Sequence, residues 1–360
     1  MRFQVQLFWP AKTTSPDCGP HWSHCSVLED GPGVPDPESY LDGIASCING
    51  IRLVIYVTYR GAMATEHLSS RFIDLDAWSP AEVVEAMWEG HIAAVASVRP
   101  AIGAIAAAVE AAVVALGDRG RLVYVGAGTS GRIAIQDGAE LTPTFGWPRE
   151  RLVFGMAGGD AALICSAEGA EDDTADGIRL IDCNHIGPSD VVIGVAASGS
   201  TSFTVAATER ASKCGAVTIG IANNPGTPLL AAARHPILIA TGSELIAGST
   251  RMKAGTAQKV VLNLLSTGIM IRLGRVYRGM MVDMHTTNAK LRRRAERMVA
   301  RIAGCDSTAA AKALALAGGD IKMAALIVLG LSAEAAAAVL AKNRGSLRQA
   351  LADMADEGVS

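Results

Sequence analysis

Aromatic residues are scarce in this 360-residue sequence, at 4% of the chain, although half of its residues are apolar. Small aliphatic side chains must therefore fill the core, which is typical of a parallel α/β sheet packed by Ala-rich helices. No stretch reaches the roughly 18 unbroken apolar residues of a membrane-spanning helix. The N-terminus also lacks the pattern of a signal peptide. We therefore expect a cytoplasmic protein without a membrane partner.

The sequence also lacks a strong charge of either sign and a regular cysteine pattern. Its net charge is −3, and the short basic run Lys290–Arg294 is typical of a solvated helix face rather than a nucleic-acid patch. The seven scattered cysteines indicate free thiols in a reducing compartment. Cys18, His21, His24 and Cys25 are crowded together, unlike the two spaced pairs of a structural zinc site. We predict no metal, no cofactor and no nucleic-acid partner.

The N-terminal part of the chain changes character near Met63. Residues 1–62 have poor periodicity, and we interpret them as an atypical leader that is disordered or a misassigned start. Residues 63–111 are predicted to form an N-terminal helical segment. Within it, Ser79–Glu82 has a cap residue, a proline at the first helical position and an acidic first turn, which together predict a helix start.

Residues 112–275 alternate short aliphatic runs, Gly/Ser-rich turns and helical stretches. Strands that alternate with helices predict βαβ units and a doubly wound parallel sheet of five strands. The predicted strands are Arg121–Val125, Arg151–Gly155, Val191–Val195, Ala216–Ile221 and Pro236–Ala240.

Residues 276–360 are predicted to form a small C-terminal helical region. From about Ala300 this region is rich in alanine, and glycines interrupt it at Gly318-Gly319 and at Gly330. Because glycine commonly ends a helix, these breaks predict a three-helix unit.

Two Gly/Ser-rich loops directly follow predicted strands, at the edge of a parallel sheet where ligands bind. They are Gly126–Gly131 (GAGTSG) and Ala197–Ser202 (ASGSTS). The first matches a dinucleotide fingerprint, but the next strand ends in Phe154–Ala157 without the acidic residue that holds a ribose. Hydroxyl groups on two neighbouring loops favour a compact sugar phosphate, while tight turns without a ligand remain an alternative.

Four strings in the chain resemble motifs of the N-acetylmuramic acid 6-phosphate etherases. Thr65–Asp76 resembles the start of that family, although Ser69 stands where the family usually has Asn, which puts a minor substrate or dimer contact in doubt. The similarity runs from about residue 65 to 350. The four strings are Gly126–Arg132 (GAGTSGR), Glu168–Asp172 (EGAED), Gly248–Lys259 (GSTRMKAGTAQK) and Leu264–Gly268 (LSTGI).

This resemblance implies a sugar-isomerase (SIS) sheet at residues 112–275, a homodimer and a metal-free lyase. The implied reaction cleaves the D-lactyl ether of N-acetylmuramic acid 6-phosphate by elimination and then hydration. Its products are N-acetylglucosamine 6-phosphate and D-lactate, in the recycling of cell-wall amino sugars. Such a reaction needs a base at C2 of the ring-opened sugar and an acid at the departing lactate oxygen.

Two glutamates are the candidate catalytic residues. From the residues alone, Glu140 is a solvated helix-end glutamate, and Glu171 belongs to an exposed acidic loop or a magnesium site. The resemblance implies that Glu140 donates a proton to lactate and that Glu171 is the base at C2. For the substrate we propose hydroxyl contacts from Thr129 and Ser130 to the sugar, and from Ser198, Ser200 and Thr201 to the phosphate.

Two other functions compete with the etherase. An aldose–ketose isomerase with the same sheet would use one glutamate, such as Glu244, to move a proton between C1 and C2. A non-catalytic sugar-phosphate regulator would keep both loops and lack the acids. The presence of both Glu140 and Glu171 favours the etherase.

Overall fold

A computed structural model of the chain describes residues 2–6, 24–28, 63–165 and 167–356. The chain divides into two compact units, Met1–Ala62 and Met63–Ser360. In the first unit, β1 (Arg2–Gln6) pairs antiparallel with β2 (His24–Leu28). The remainder of the predicted leader and the side chains of the crowded cysteines and histidines lie outside the described residues.

The second unit begins with three short 3₁₀ turns and two helices, α1 (Pro80–Ala96) and α2 (Ile102–Leu116). The predicted helix start is confirmed. Ser79 caps α1, since its hydroxyl accepts from the Glu82 amide at 3.4 Å while the Glu82 carboxylate accepts from the Ser79 amide at 2.8 Å. Both bonds to Ser79 lower the pKa of Glu82.

By length and composition alone, the stretch Pro80–Leu116 could cross a membrane, and 33% of its most apolar window is buried. In the structure a turn at residues 97–101 divides this stretch into separate helices of 17 and 15 residues. One face of α2 enters the main hydrophobic core, through residues that include Ile105, Ala112 and Leu116. The apolar composition of α2 is therefore explained by its packing against the sheet.

The central sheet has five strands, β3 (Leu122–Gly126), β4 (Leu152–Met156), β5 (Val191–Ala196), β6 (Val217–Ala222) and β7 (His235–Leu238). They are parallel and lie in the order β4-β3-β5-β6-β7. The predicted doubly wound sheet is thus confirmed, with each strand within two residues of its expected bounds. All the residues of β3, β5 and β6 are buried, which explains continuous aliphatic runs instead of alternation.

Helices cover both faces of this sheet. The helices that follow the strands are α3 (Gly128–Ala139), α4 (Leu141–Phe145), α5 (Thr174–Cys183), α6 (Ser202–Lys213), α7 (Pro228–Ala232) and α8 (Lys253–Arg272). One face of the sheet packs against α2, α3 and α8, and the other packs against α5 and α6.

The C-terminal region has its own hydrophobic core. The predicted three-helix unit is wrong, because the chain also breaks at Gly304 and Gly345, which adopt φ of +68° and +74°. A short hairpin, β8 (Val276–Tyr277) and β9 (Met280–Met281), precedes the helices. They are α9 (Ala289–Ala303), α10 (Ser307–Leu316), α11 (Ile321–Val328), α12 (Ala333–Lys342) and α13 (Leu347–Asp356).

Candidate active site

The two Gly/Ser-rich loops lie side by side at the carboxyl edge of the sheet. They follow β3 and β5, which are hydrogen-bonded neighbours, with Gly126 opposite Val195 at their ends. The chain turns from β3 outward to β4 and then returns to β5 on the other side, so the loops flank the point where the strand order reverses. Open α/β sheets bind their ligands at such a crevice.

The first loop needs glycine for close packing. A Cβ on Gly126 would lie 2.7 Å from Cα of Gly131, so the loop and the first turn of α3 touch without room for a side chain. Gly128 adopts φ of +53°, a conformation that favours glycine. Within the turn, Ser130 is buried and Thr129 is half-buried. The amino end of α3 thus lies against the end of β3.

The second loop gathers hydroxyl groups. The Ser200 amide donates to the Ser198 hydroxyl at 3.2 Å, and the hydroxyl oxygens of Ser198 and Thr201 are 3.4 Å apart. Gly199 adopts φ of +69°, and a Cβ there would meet the Thr227 hydroxyl at 2.3 Å. Ser200 is exposed at the tip of the loop. Three hydroxyls close together at the start of α6 can donate to the oxygens of a phosphate.

A cavity of about 270 Å³ joins the first loop to the segment after β4. The segment turns back on itself at Gly158, whose Cβ would lie 2.5 Å from the Ala167 methyl group. Glu171 lies in a 3₁₀ turn, Ala170–Asp172, and it is exposed to solvent, as is Glu168. The lining residues are Ala127, Gly128, Arg132, Met156, Ala157, Ala162, Ala167, Glu168, Gly169, Ala170 and Glu171.

Glu140 does not line this cavity. It caps the carboxyl end of α3, where it is exposed, and it follows Gly128 by twelve residues. At 1.5 Å per residue, the helix separates the two positions by about 18 Å. Within one chain, the first loop and Glu171 therefore meet, whereas Glu140 lies toward the opposite edge of the sheet.

Glu244, the candidate base of an isomerase, is fully buried. Its two carboxylate oxygens accept from the backbone amides of Lys253 and Ala254, both at 2.9 Å. These amides belong to the first turn of α8, so Glu244 caps that helix. The arrangement gives Glu244 a structural role and leaves it no exposed oxygen for a substrate proton.

The sequence motifs gave no role to Thr65, although it links three parts of this edge. Thr65 is fully buried, and its hydroxyl accepts from the Asn224 side chain at 3.0 Å. Its carbonyl accepts from the Gly248 amide at 2.9 Å. Asn224 also donates to the Ala197 carbonyl at 2.9 Å, beside the second loop. The segment that begins the second unit thus fastens onto the second loop.

Curated proteins are similar to the chain over most of its length. An N-acetylmuramic acid 6-phosphate etherase of Deinococcus radiodurans is 49% identical over 290 residues, which cover 80% of this chain and 95% of that protein. An etherase of Halalkalibacterium halodurans is 41% identical over 293 residues, which cover 81% of this chain and 98% of that protein. The chain belongs to the N-acetylmuramic acid 6-phosphate etherase family. The predicted resemblance is thereby confirmed.

Domain matches fall on the sheet of this etherase-family chain. The N-terminal SIS domain of glucokinase regulatory protein matches residues 104–212, and the SIS domain matches residues 174–267. The solved structure of a phosphoheptose isomerase from Francisella tularensis is 20% identical, with a TM-score of 0.43, and covers 54% of this chain and 100% of that chain. The match to the SIS domain and the five-stranded parallel sheet confirm the predicted SIS fold.

Proposed function

We propose that this protein is a lyase that cleaves the D-lactyl ether of N-acetylmuramic acid 6-phosphate. The observation that carries the proposal is the match to curated etherases over nearly their whole length. The placement of Glu171 beside the first loop, in one cavity, supports it. The products are N-acetylglucosamine 6-phosphate and D-lactate. A phosphorylated sugar of this kind fits a cytoplasmic enzyme of cell-wall amino-sugar recycling.

The reaction begins at the ring-opened sugar, whose C1 aldehyde acidifies the proton on C2. Glu171 removes this proton, the C3–O bond breaks, and Glu140 donates a proton to the departing oxygen of lactate. The unsaturated aldehyde then takes up water, with hydroxide at C3 and a proton at C2. The balance is one ether and one water converted to one alcohol and one lactate. Carboxyl groups alone perform every proton transfer.

The second loop holds the phosphate in this scheme. Ser198, Ser200 and Thr201 present hydroxyls at the start of α6, where the helix amides favour an anion. Thr129 and Ser130, in the first turn of α3, face the sugar. Because the loops follow adjacent strands, one sugar phosphate spans both.

A homodimer completes the site. Along α3, Glu140 lies about 18 Å from Gly128 and about 12 Å from Arg132, the two residues of this helix that line the cavity. A carboxyl group transfers a proton only over hydrogen-bond distance, so the Glu140 that acts at a cavity comes from a second copy of the chain.

Helix α1 offers a surface for that second copy. Its small residues Ala86 and Ala94 are buried, and Gly90 packs against Leu245. The opposite face exposes large apolar side chains with helical spacing, including Trp88, which is 60% exposed. If the exposed face of α1 met only water, we would expect polar residues there and the large apolar residues on the buried face. The exposed apolar residues on this face are Val84, Trp88, Ile92 and Val95.

The function is tested by incubating the purified protein with N-acetylmuramic acid 6-phosphate. We expect stoichiometric release of D-lactate and N-acetylglucosamine 6-phosphate, measured by enzymatic lactate assay and mass spectrometry. In H₂¹⁸O the label should enter the sugar product at C3 and stay out of lactate. No lactate under any condition would contradict the lyase.

The shared site is tested by mixing two inactive variants, Glu140→Gln and Glu171→Gln, after unfolding and refolding them together. If each cavity takes Glu140 from the second copy, half of the dimers are mixed and each has one intact site. Activity should return to about a quarter of the wild-type value. If both glutamates acted from one chain, the mixture would stay inactive. Each variant refolded alone is the control.

A sugar-phosphate regulator is the second candidate, because the N-terminal SIS domain of glucokinase regulatory protein also matches the chain. A regulator would bind N-acetylmuramic acid 6-phosphate and leave it intact. Calorimetric binding without lactate release would favour it over the lyase.

A further inference from the structure

Arg132 lies in the second turn of α3 and lines the same cavity as Glu171. Two carbonyl groups hold its guanidinium. Nε and Nη2 donate to the Ala162 carbonyl at 3.1 and 2.9 Å, and Nε also donates to the Leu163 carbonyl at 3.1 Å. Three hydrogen bonds on one edge fix the plane of the guanidinium, so its other donors point in a set direction.

The bonds to carbonyls leave part of the guanidinium unused. Arginine has five N–H donors. Among the described residues, no partner accepts from Nη1 of Arg132, so both of its N–H groups and one of Nη2 remain available. Every other described residue that lines the cavity is apolar, glycine or acidic. Among these residues, Arg132 is therefore the one that carries a positive charge.

The acidic lining makes that cation important for any anionic ligand. Glu168 and Glu171 repel an incoming anion, so a negatively charged group enters only where a cation offsets the repulsion. The free edge of a guanidinium matches a carboxylate, with two parallel N–H donors for two oxygens. The cavity is thus suited to a ligand whose carboxylate pairs with Arg132.

We propose that Arg132 binds the carboxylate of the lactyl group, so that the enzyme selects acidic ethers over neutral ones. This assignment rests on the proposed function. The substrate has two anionic groups, and the hydroxyls of the second loop serve the phosphate, which leaves the lactyl carboxylate for the cavity. Because Arg132 is rigidly held, the pairing also fixes the ether oxygen relative to Glu171.

The experiment compares two substrates and four proteins. One substrate is N-acetylmuramic acid 6-phosphate, and the other is its lactamide, in which a neutral carboxamide replaces the carboxylate. The proteins are the wild type, Arg132→Gln, Arg132→Lys and the control Arg179→Gln. Arg179 is an exposed residue of α5 that pairs with Asp176, so the control removes the same charge away from the cavity. The measured quantity is kcat/KM for release of the common sugar product.

We expect the wild type and Arg179→Gln to prefer the acid by about 10- to 100-fold, the range of charge-assisted hydrogen bonds. In Arg132→Gln the preference should fall to about threefold or less. Arg132→Lys keeps the charge and loses the paired donors, so its preference should be intermediate. The ratio of the two substrates removes any general loss of activity that follows from freeing the turn at Ala162.

An unchanged preference in Arg132→Gln, with both substrates slowed equally, overturns the assignment and leaves Arg132 as a residue that positions the turn. A wild type that shows no preference overturns it as well. A wild type that releases no sugar product from either substrate contradicts the proposed function itself, which separates the two failures.

Discussion

The two edges of the central sheet hold charged groups in different ways. At the amino edge, Arg151 donates to the carbonyls of Leu116, Gly117 and Gly120 and lies 4.1 Å over the Trp147 ring. At the carboxyl edge, Arg132 uses only one edge of its guanidinium, and Glu171 is exposed in a cavity. The contacts of Arg151 tie together segments at the base of the sheet and stabilise the fold, whereas Arg132 and Glu171 line a cavity in which they can meet a ligand.

The ion pair of Arg121 with Asp190 shows the amino-edge pattern most fully. Asp190 is buried and accepts from the Arg121 backbone and side chain and from the Gly187 amide. Burial alone would raise its pKa, but these hydrogen bonds outweigh burial and lower it. Nη1 and Nη2 of Arg121 also donate to the carbonyls of Asn184 and His185. Four of the five N–H donors of this guanidinium therefore bond to the protein.

The largest expected effect concerns the two glutamates. Glu140→Gln and Glu171→Gln each keep the shape of the side chain and remove the carboxyl that transfers a proton in the proposed mechanism. Turnover should fall by about 10²–10⁴-fold in each, with little change in substrate binding or in the free energy of unfolding. Steady-state kinetics and urea titration measure both quantities.

Deuterated water divides the roles of the glutamates. If Glu171 is the base, Glu140→Gln still exchanges the C2 hydrogen of N-acetylglucosamine 6-phosphate while C–O cleavage stalls. Glu171→Gln should hardly exchange it. The reverse pattern swaps the roles, and near-normal turnover in both variants would end the two-glutamate mechanism.

At the amino edge the expected effect reverses, with stability lost and activity kept. Asp190→Asn leaves Arg121 without its buried partner and should lower the free energy of unfolding by about 3 kcal/mol. Asp182→Asn breaks the exposed pair with Arg210 and should cost less than about 1 kcal/mol, which makes it the matched control. Equal costs, or a large fall in kcat for Asp190→Asn, would contradict the division between the edges.

The same pair predicts a pH dependence. Because the folded pKa of Asp190 is lowered, its contribution to stability is present above the unfolded pKa of about 3.9 and is lost as the pH falls through the folded pKa. The difference in unfolding free energy between wild type and Asp190→Asn should therefore be constant near neutrality and shrink below about pH 4. Urea titrations across about pH 3–7 measure it. A difference in unfolding free energy that grew as the pH fell would contradict a lowered pKa of Asp190 in the folded protein.

The sequence predicts the sheet well because both of its faces are buried. Aliphatic runs such as Val191–Ala196 follow from that burial, and the Gly/Ser-rich turns mark their ends. The start of α1 at Ser79 follows from local capping chemistry. Local signals are sufficient here, since each element is specified by its own residues.

The candidate site is predicted less completely, since it depends on contacts between distant segments. The strings around Glu140 and Glu171 do not reveal that α3 separates Glu140 from the cavity. The twelve residues from Gly128 to Glu140 would have predicted the separation once they were taken as a helix. The unused donors of Arg132 depend on the turn at Ala162, thirty residues away. Glu244 looks available in the sequence and is buried by a contact with α8.

Glu244 lies at the carboxyl edge of the sheet, but it is buried and both of its carboxylate oxygens bond to backbone amides. In this respect it resembles the charged residues of the amino edge. Glu244→Gln replaces one acceptor oxygen with a donor that faces the α8 amides. The free energy of unfolding should fall by about 1–2 kcal/mol, the usual value of a helix cap, while kcat/KM changes less than about threefold. A loss of activity of 10²-fold or more with normal stability would restore the isomerase base.

The smallest expected effect is that of a chelator. The acidic segment Glu168–Asp173 could suggest a magnesium site, but its members do not converge. Asp173 accepts from the Asp176 amide and caps α5, while Asp176 pairs with Arg179. Across the described ranges, no group of three or more Asp, Glu, His or Cys side chains could hold a metal ion. In the proposed mechanism Glu171 acts as a carboxylate base.

We expect EDTA to leave turnover unchanged, because the two carboxyl groups complete every proton transfer of the elimination and hydration. The measurement is lactate release by dialysed enzyme with EDTA, with magnesium and with zinc. A loss in EDTA that either ion restores would move Glu171 from base to metal ligand. In that case Asp172→Asn, which replaces the neighbouring carboxylate with an uncharged amide, should also abolish activity. If Glu171 is instead the base, we expect this variant to keep most of its turnover.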